Sequence, residues 1–277
     1  MRGALASPLA ACSFRTLLSA SCIFFLLAAC VSQPLTVTRE PATLRLVAAD
    51  SCTPLAEELA DAYEKAHPWV EIQIEVFNSA VAEQMLRAGE AEVALLSWLY
   101  ENAEEEALWS HPFARDGIAV VVHPATPFSE TGLAHLQAIF RGRVQEWGGM
   151  VLTPVSREDG SGSRTAFESA VLGDHDATLT AVVMPSSEAV IDHVARTPGA
   201  VGYVSTLWLS APAAENVRVA PVEGMLPTAD TISDGSYILS RPLHIATVGD
   251  PMDGAREFAQ WVLGPEGQAV AAKLGDW

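Results

Sequence analysis

Along residues 43–277 the spacing of apolar positions switches repeatedly between a period of two and a period near 3.6, the alternation of strands and helices that marks an α/β chain. Residues 44–48 form a short apolar strand. Residues 54–67 put Leu55, Leu59, Ala62, Tyr63 and Ala66 on one helical face, carry Glu57 and Glu58 in the first turn where the helix dipole favours acids, and stop at Pro68. Residues 70–76 alternate strictly, which predicts a strand with one wet face. A helix around 81–88 leads to an apolar strand at 93–97, and the continuous β-branched run at 117–124 predicts a strand covered on both sides. Further on, the pattern predicts helices at 133–140, 163–172 and 187–196, strands at 179–184, 200–204, 217–220 and 237–247, and one last helix over 254–274. There is no internal repeat, and the pattern alone sets no domain boundary.

The start of the chain follows a different logic. Arg2 and Arg15 precede an apolar run, 17–29, that has signal-peptide length and is too short for a comfortable membrane span. It ends in Leu27-Ala28-Ala29-Cys30, which resembles a bacterial lipobox, where small residues admit the signal peptidase and the cysteine thiol takes a diacylglycerol. The expected arrangement is a signal peptide over 1–29, a lipid on Cys30, and a proline-containing tether over 30–41. A second match at Leu9-Ala10-Ala11-Cys12 lacks the apolar run before it. Cys12 and Cys22 leave with the leader, so Cys52 stands alone, with no disulfide framework and no cysteine metal site. The expected location is the outer face of the cell membrane, periplasmic or extracellular.

The 277 residues, 49% hydrophobic and 18% charged, suffice for one large or two modest cores. Sixteen cationic residues face 34 acidic ones, a net charge of −18; cleavage after residue 29 removes two of the cations and no acid, which deepens it to −20. That balance argues against nucleic acid, whose affinity rests on cations displacing counterions, and against a basic membrane-surface patch. It does not exclude a small anion, because a local site can oppose the global field.

The sharpest local chemistry lies at 156–163, Ser-Arg-Glu-Asp-Gly-Ser-Gly-Ser, where hydroxyls alternate with glycines just as an amphipathic helix begins. Free N–H groups and the positive end of the helix dipole converge there, and glycine lets an oxyanion approach the main chain. Ser161 and Ser163 add O–H donors, Gly162 an open backbone, and Arg157 a forked cation suited to tetrahedral oxyanions. A bare Gly-Ser-Gly-Ser is equally an ordinary serine cap with a glycine turn. A nucleophile elbow lacks its final glycine here, a Walker lysine is absent, and the seven histidines show no metal spacing.

In chain order, several segments resemble the phosphate-binding lipoproteins of ABC importers, the PstS-like branch of the periplasmic binding proteins. Residues 136–147 (Leu-Gln-Ala-Ile-Phe-Arg-Gly-Arg-Val-Gln-Glu-Trp) are similar to the family's Leu-x-x-Ile-Phe-x-Gly-x-Ile-x-x-Trp. Residues 157–163 resemble its Arg-x-x-Gly-Ser-Gly-Thr loop, with Ser163 for threonine. Residues 198–203 resemble Pro-Gly-Ala-Ile-Gly-Tyr, and 237–243 resemble Tyr-Pro-Leu-x-Arg-Pro-Leu. The resemblance implies an α/β, two-lobed periplasmic-binding-protein fold with hinge crossover strands: lobe one from 42–118 plus 222–277, lobe two from 119–221, with 118–122 as the first crossover. It implies capture of phosphate between the lobes by Ser51, Cys52, Thr53 and Ser79 from lobe one and Arg157, Asp159, Ser161, Gly162 and Ser163 from lobe two. It also implies delivery to ABC permease subunits by a monomeric, non-enzymatic protein without cofactor or metal.

Three departures qualify the likeness. Thr53, before Pro54, is as well suited to capping the helix as to binding an anion. The loop Phe77-Asn78-Ser79-Ala80-Val81 keeps a hydroxyl but lacks the family's glycines, which argues against close backbone approach there. Where many relatives carry an aspartate that accepts the hydrogen-phosphate proton, this chain has Ser97-Trp98. Asp159 supplies either a substitute acceptor or an internal salt bridge to Arg157. The alternatives are thus the same fold holding sulfate, tungstate, molybdate or an organic phosphate, or a non-transporting surface sensing or adhesion module. A third class, an envelope phosphatase-like enzyme, is motivated only by serines near an arginine; no residue supplies a convincing general base to Ser161 or Ser163, and no metal ligands assemble.

Overall fold

The computed structural model describes residues 39–100, 108–128 and 131–273. The expected leader, Cys30 and most of the tether lie outside them. Strands β1 (Ala42–Ala49), β2 (Val70–Phe77) and β3 (Val93–Leu96) run parallel, connected by helices α1 (Thr53–Ala66) and α2 (Ser79–Arg87). The long β4 (Leu108–Val122) is followed by α3 (Leu133–Phe140), a small hairpin of β5 (Glu146–Trp147) and β6 (Met150–Val151), then β7 (Thr153–Arg157) and α4 (Gly162–Phe167). Next come β8 (Val182–Met184), α5 (Ser187–Arg196), β9 (Ala200–Ser205), β10 (Arg218–Ala220), α6 (Ala229–Ser233), β11 (Ser240–Val248), α7 (Asp253–Leu263) and α8 (Pro265–Lys273).

The main sheet runs β2-β1-β3-β11-β4-β9-β7-β8, with β10 on β4. It is a mixed α/β arrangement in which β4 belongs to both halves. Residues 108–117 of β4 pair antiparallel with β11, and 118–122 with β9 and β10. Each half has helices on both faces. In the first, Leu46, Leu55, Tyr63 and Phe258 pack on one side and Val47, Leu86 and Ala94 on the other. In the second, Val120, Phe140, Phe167 and Tyr203 form one core and Val121, Val190 and Val194 the other. Parallel strands end at their carboxyl ends facing the crevice where the halves meet, the usual ligand position of open α/β sheets.

Most predicted elements stand within a few residues of their expected limits. The expected strand at 117–124 is the second half of a 15-residue strand; only Phe113 and Asp116 are buried before Gly117, so the first half carries no apolar run to betray it. The single last helix is two. Gly264, before Pro265, is extended at φ −84° and ψ 175°, as the proline ring demands, and Pro265 opens the next helix where no N–H is needed. The helix at 163–172 leaves α geometry after Phe167 for a π turn over Glu168–Leu172, closed by Gly173 at φ 61°.

Where the halves join, a buried ion pair fixes the strands. Arg241 of β11 donates Nε (3.1 Å) and Nη2 (2.9 Å) to Asp116 Oδ2 of β4, while Thr206, just after β9, donates its N–H (3.1 Å) and hydroxyl (2.8 Å) to Asp116 Oδ1. The Asp116 side chain is 0% exposed. Beside it Gly117 has no room for a side chain, since a Cβ would lie 2.9 Å from Ile232 Cδ1 and 3.1 Å from Thr206 Cγ2. Asp116→Ala would strand the Arg241 charge in the interior. The expected cost is about 3–5 kcal/mol of unfolding free energy, measured by urea titration; a loss below about 1 kcal/mol would show that water reaches the pair.

Candidate functional site

Two polar clusters lie in the crevice. The first is built by serines. Ser79 opens α2, whose cap is Asn78: Asn78 Oδ1 accepts from Val81 N–H at 3.0 Å, leaving the Ser79 hydroxyl uncommitted to capping. It lies 2.9 Å from the hydroxyl of Ser97, at the end of β3. From the opposite half, Ser161 caps α4, accepting from Arg164 N–H at 3.4 Å, while its own proton stays available. The ordinary cap and the donor role therefore coexist. Ser163 accepts from Arg241 Nη2 at 3.1 Å, and Arg241 Nη1 reaches Ser97 O at 3.4 Å. Gly162 closes the ring: a Cβ there would collide with both the Ser79 and Ser97 hydroxyls and lie 3.1 Å from Trp98 Cβ. Ser79, Ser97, Ser161, Gly162, Ser163 and Arg241 are all buried.

Close approach at the Ser79 loop does occur, contrary to what its missing glycines suggest. Ala80 N–H donates to Gly160 O at 3.1 Å and Asn78 Nδ2 to Asp159 O at 3.4 Å. The small residues are supplied from the other side: Gly160 sits at φ 80° with its α-carbon against Asn78 and Ala80, and Gly162 meets the serines.

The second cluster surrounds Arg157, whose side chain is 2% exposed. Its Nε and Nη2 donate to the two oxygens of Glu158 (2.8 and 3.0 Å), and Nη1 donates to Asp50 Oδ2 (2.7 Å) and Ser187 Oγ (2.9 Å). Burial opposes its charge, but the Glu158 and Asp50 carboxylates outweigh that and raise its pKa further. The expected Asp159 salt bridge is thus not the one formed. Asp159 is exposed, and its neighbour Glu158, with Asp50 from across the crevice, holds the guanidinium.

Ser51 and Cys52 are buried in the single 3-10 turn after β1. Thr53 is the first residue of α1 rather than its cap, a position taken by Cys52, and its Oγ1 is buried without a hydrogen-bond partner. Thr53 therefore does not serve as a cap, because Pro54 is second in the helix and not first. Six residues outside the predicted set complete the two clusters, Glu158 among them beside Arg157 in the cradle loop. Ser97 follows the all-apolar β3, Asp50 follows the apolar end of β1 (residues 46–49), Arg241 is a cation inside a predicted strand, Asp116 precedes a buried run and Ser187 starts a helix. A polar group at such a boundary was the available signal. An open cavity of about 560 Å³, lined by Leu55, Phe113, Arg115 and Ile232 among others, shares none of these residues. Its one cation, Arg115, is already bonded to Ile232 O and Ser240 Oγ.

The Cys52 thiol is fully buried, and burial pushes its pKa up to about 12 despite the opposing charge of Arg241. At pH 8 only about one thiol in ten thousand is then ionised. Iodoacetamide at pH 8 is expected to leave native Cys52 untouched and to alkylate it fully in 6 M guanidinium, read by mass spectrometry; rapid native alkylation would show that the crevice opens to reagents.

A family model described as a PBP superfamily domain matches residues 36–266. The phosphate-binding protein PstS of Bacillus subtilis is 25% identical over 228 residues, which cover 79% of this chain and 75% of that protein. Among solved structures, a protein described as a phosphate ABC transporter substrate-binding protein from Clostridium perfringens, with bound phosphate, superposes with a TM-score of 0.78 at 26% identity, covering 84% of this chain and 98% of its own. An ABC-type phosphate transport receptor from Vibrio cholerae follows at a TM-score of 0.68 and 27% identity, with the same coverage. A match over most of the length, carried by the same two-lobed α/β architecture, means that the chain belongs to the PBP superfamily.

Proposed function

We propose that this chain is an extracytoplasmic solute-binding protein that captures inorganic phosphate between its lobes and passes it to an ABC permease; it is a binding protein and not an enzyme. One observation carries the reading: hydroxyls from both halves, Ser79 and Ser97 on one side and Ser163 on the other, meet beside the bare backbone of Gly162 and the Arg241 guanidinium, with Ser161 capping the helix that starts there. Hydroxyls, helix-terminal N–H groups and one forked cation are what a tetrahedral oxyanion needs, and a few charge-assisted hydrogen bonds of about 1.5–3 kcal/mol each suffice for micromolar capture, near −8 kcal/mol. The relatives named for phosphate support the choice of anion.

The remaining assignments belong to the same proposal. Lobe one comprises 42–118 plus 222–277 and lobe two 119–221, a division supported by β4 passing between the halves; Val222, Ile232, Tyr237 and Leu239 nevertheless pack in the core of the second half, and Leu207 in that of the first. Ser51, Cys52 and Thr53 line the first-lobe wall, and Arg157 the second. The exported form is a monomer tethered through lipid on Cys30. A second reading, another oxyanion in the same site, is favoured by one feature: Trp98 stands where the resemblance implies a proton-accepting carboxylate, and Asp116 is committed to Arg241 and Thr206.

Isothermal titration at pH 7 decides between the two. Phosphate is expected to bind at about micromolar Kd, and Gly162→Ala, which drives a methyl into the two hydroxyls, is expected to weaken it at least a hundredfold, with Ser163→Ala intermediate. Sulfate or molybdate binding in the absence of any phosphate heat would move the assignment to the second reading, and wild-type affinity in Gly162→Ala would remove the site from the serine cluster.

A further inference from the structure

Asp50 directly follows β1, opening the 3-10 turn, and reaches out of its own half. Its carboxylate accepts from Arg157 Nη1 (2.7 Å), from the backbone N–H of Ser187 (3.0 Å to Oδ2) and from the Ser187 hydroxyl (2.6 Å), and its main-chain oxygen accepts from Trp208 Nε1 (3.0 Å). Guanidinium, hydroxyl and the first N–H of the ten-residue helix α5 form the donor set of an anion site. Here the anion is the protein's own side chain. Arg157, the forked cation of the cradle loop, faces this carboxylate on one edge and Glu158 on the other, so one guanidinium serves two carboxylates and has no charge in surplus for a third anion.

The acceptor travels with lobe one and every donor with lobe two, so forming or breaking these bonds is the same event as closing or opening the crevice. We infer that Asp50 is an internal ligand that latches the empty lobes together through Arg157 and Ser187 and competes with the captured anion for Arg157, which makes it an affinity-setting residue of the site. The inference rests on the cleft reading above for the competing anion; the latch itself does not require it. A ligand shifts a two-state equilibrium only by its differential affinity for the states, and an internal anion bound to the closed state lowers the share of closure left for an external one to drive. Trp208, bonded to the Asp50 main chain, adds a contact that closes with the latch.

The test uses the exported chain, dialysed free of phosphate, as wild type, Asp50→Asn and Ser187→Ala. Asp50→Asn keeps the side chain's size and removes its charge; Ser187→Ala keeps the helix and removes one donor. Melting curves confirm that the variants fold. Small-angle scattering is expected to give compact empty wild type that barely contracts on adding 1 mM inorganic phosphate, and expanded empty Asp50→Asn that contracts to the wild-type radius when phosphate is added, with Ser187→Ala between. Calorimetry is expected to show Asp50→Asn binding phosphate about tenfold tighter, the gain of one released charge-assisted bond to Arg157. Empty Asp50→Asn with the wild-type radius, or phosphate binding weaker than wild type, overturns the latch. If no variant binds phosphate, the functional reading fails, and the radii of the empty proteins still decide whether Asp50 holds the lobes closed.

Discussion

A cation at the floor of an interlobe crevice has to be kept charged while almost dry, and the buried Asp116–Arg241 pair meets that constraint. Arg241 spends Nε and Nη2 on Asp116, and the same guanidinium touches Ser163 Oγ on one side and Ser97 O on the other. Asp116 in turn is held by Thr206 through both its N–H and its hydroxyl. Three strands crossing or bordering the two halves, β4, β9 and β11, are thus fixed around one carboxylate. A buried pair of this kind is weak as a stabiliser, because desolvation consumes most of the Coulomb gain. Its value is positional: it sets the registry of the crossover strands and presents a cation to the serines without leaving that cation unpaired.

Closure of the crevice depends on where the missing side chains are. An oxyanion site made from backbone and hydroxyls needs main chains to approach one another, and each glycine has to be on one side only. In this chain they sit in the cradle loop, Gly160 and Gly162, so the opposing loop is free to use Asn78 as a helix cap and Ser79 as a donor. The glycine-poor loop is therefore no defect of the site. It is the complement of a loop that already carries the space.

The α/β class, the order of the elements and the cradle were legible in the sequence because they rest on local patterns: periodicity for the strands and helices, alternating glycine and hydroxyl at a helix start for the cradle. The first half of β4 was not, since its burial comes from β11, more than 120 residues away, and its own polar residues hide it. The same holds for the partners of Arg157. Glu158 and Asp159 both follow Arg157 within two positions, and the direction of the side chains, with Asp159 outward, selects Glu158. Asp50 and Ser187 are 137 positions apart, and no spacing rule joins them. Local physics marks which residues carry chemistry; the pairing of charges across a crevice is a property of the folded topology.

That pairing also bears on how an acidic chain of net charge −18 would accommodate the proposed anion site. Both crevice arginines are matched at home, Arg241 by Asp116 and Arg157 by Glu158 and Asp50, so two cations face three carboxylates and the crevice offers an approaching anion no long-range attraction. Steering fields raise association rates when a cleft carries unbalanced charge of the opposite sign. Without one, attraction begins only at contact, where hydroxyl and N–H dipoles act over a few ångströms and water has been excluded. Selection then depends on shape and on the protons each oxygen can give or receive, and capture speed depends on how often the lobes stand open. On the proposed reading, the internal carboxylate–arginine contacts govern the kinetics of capture, while the serines around Gly162 govern what is held.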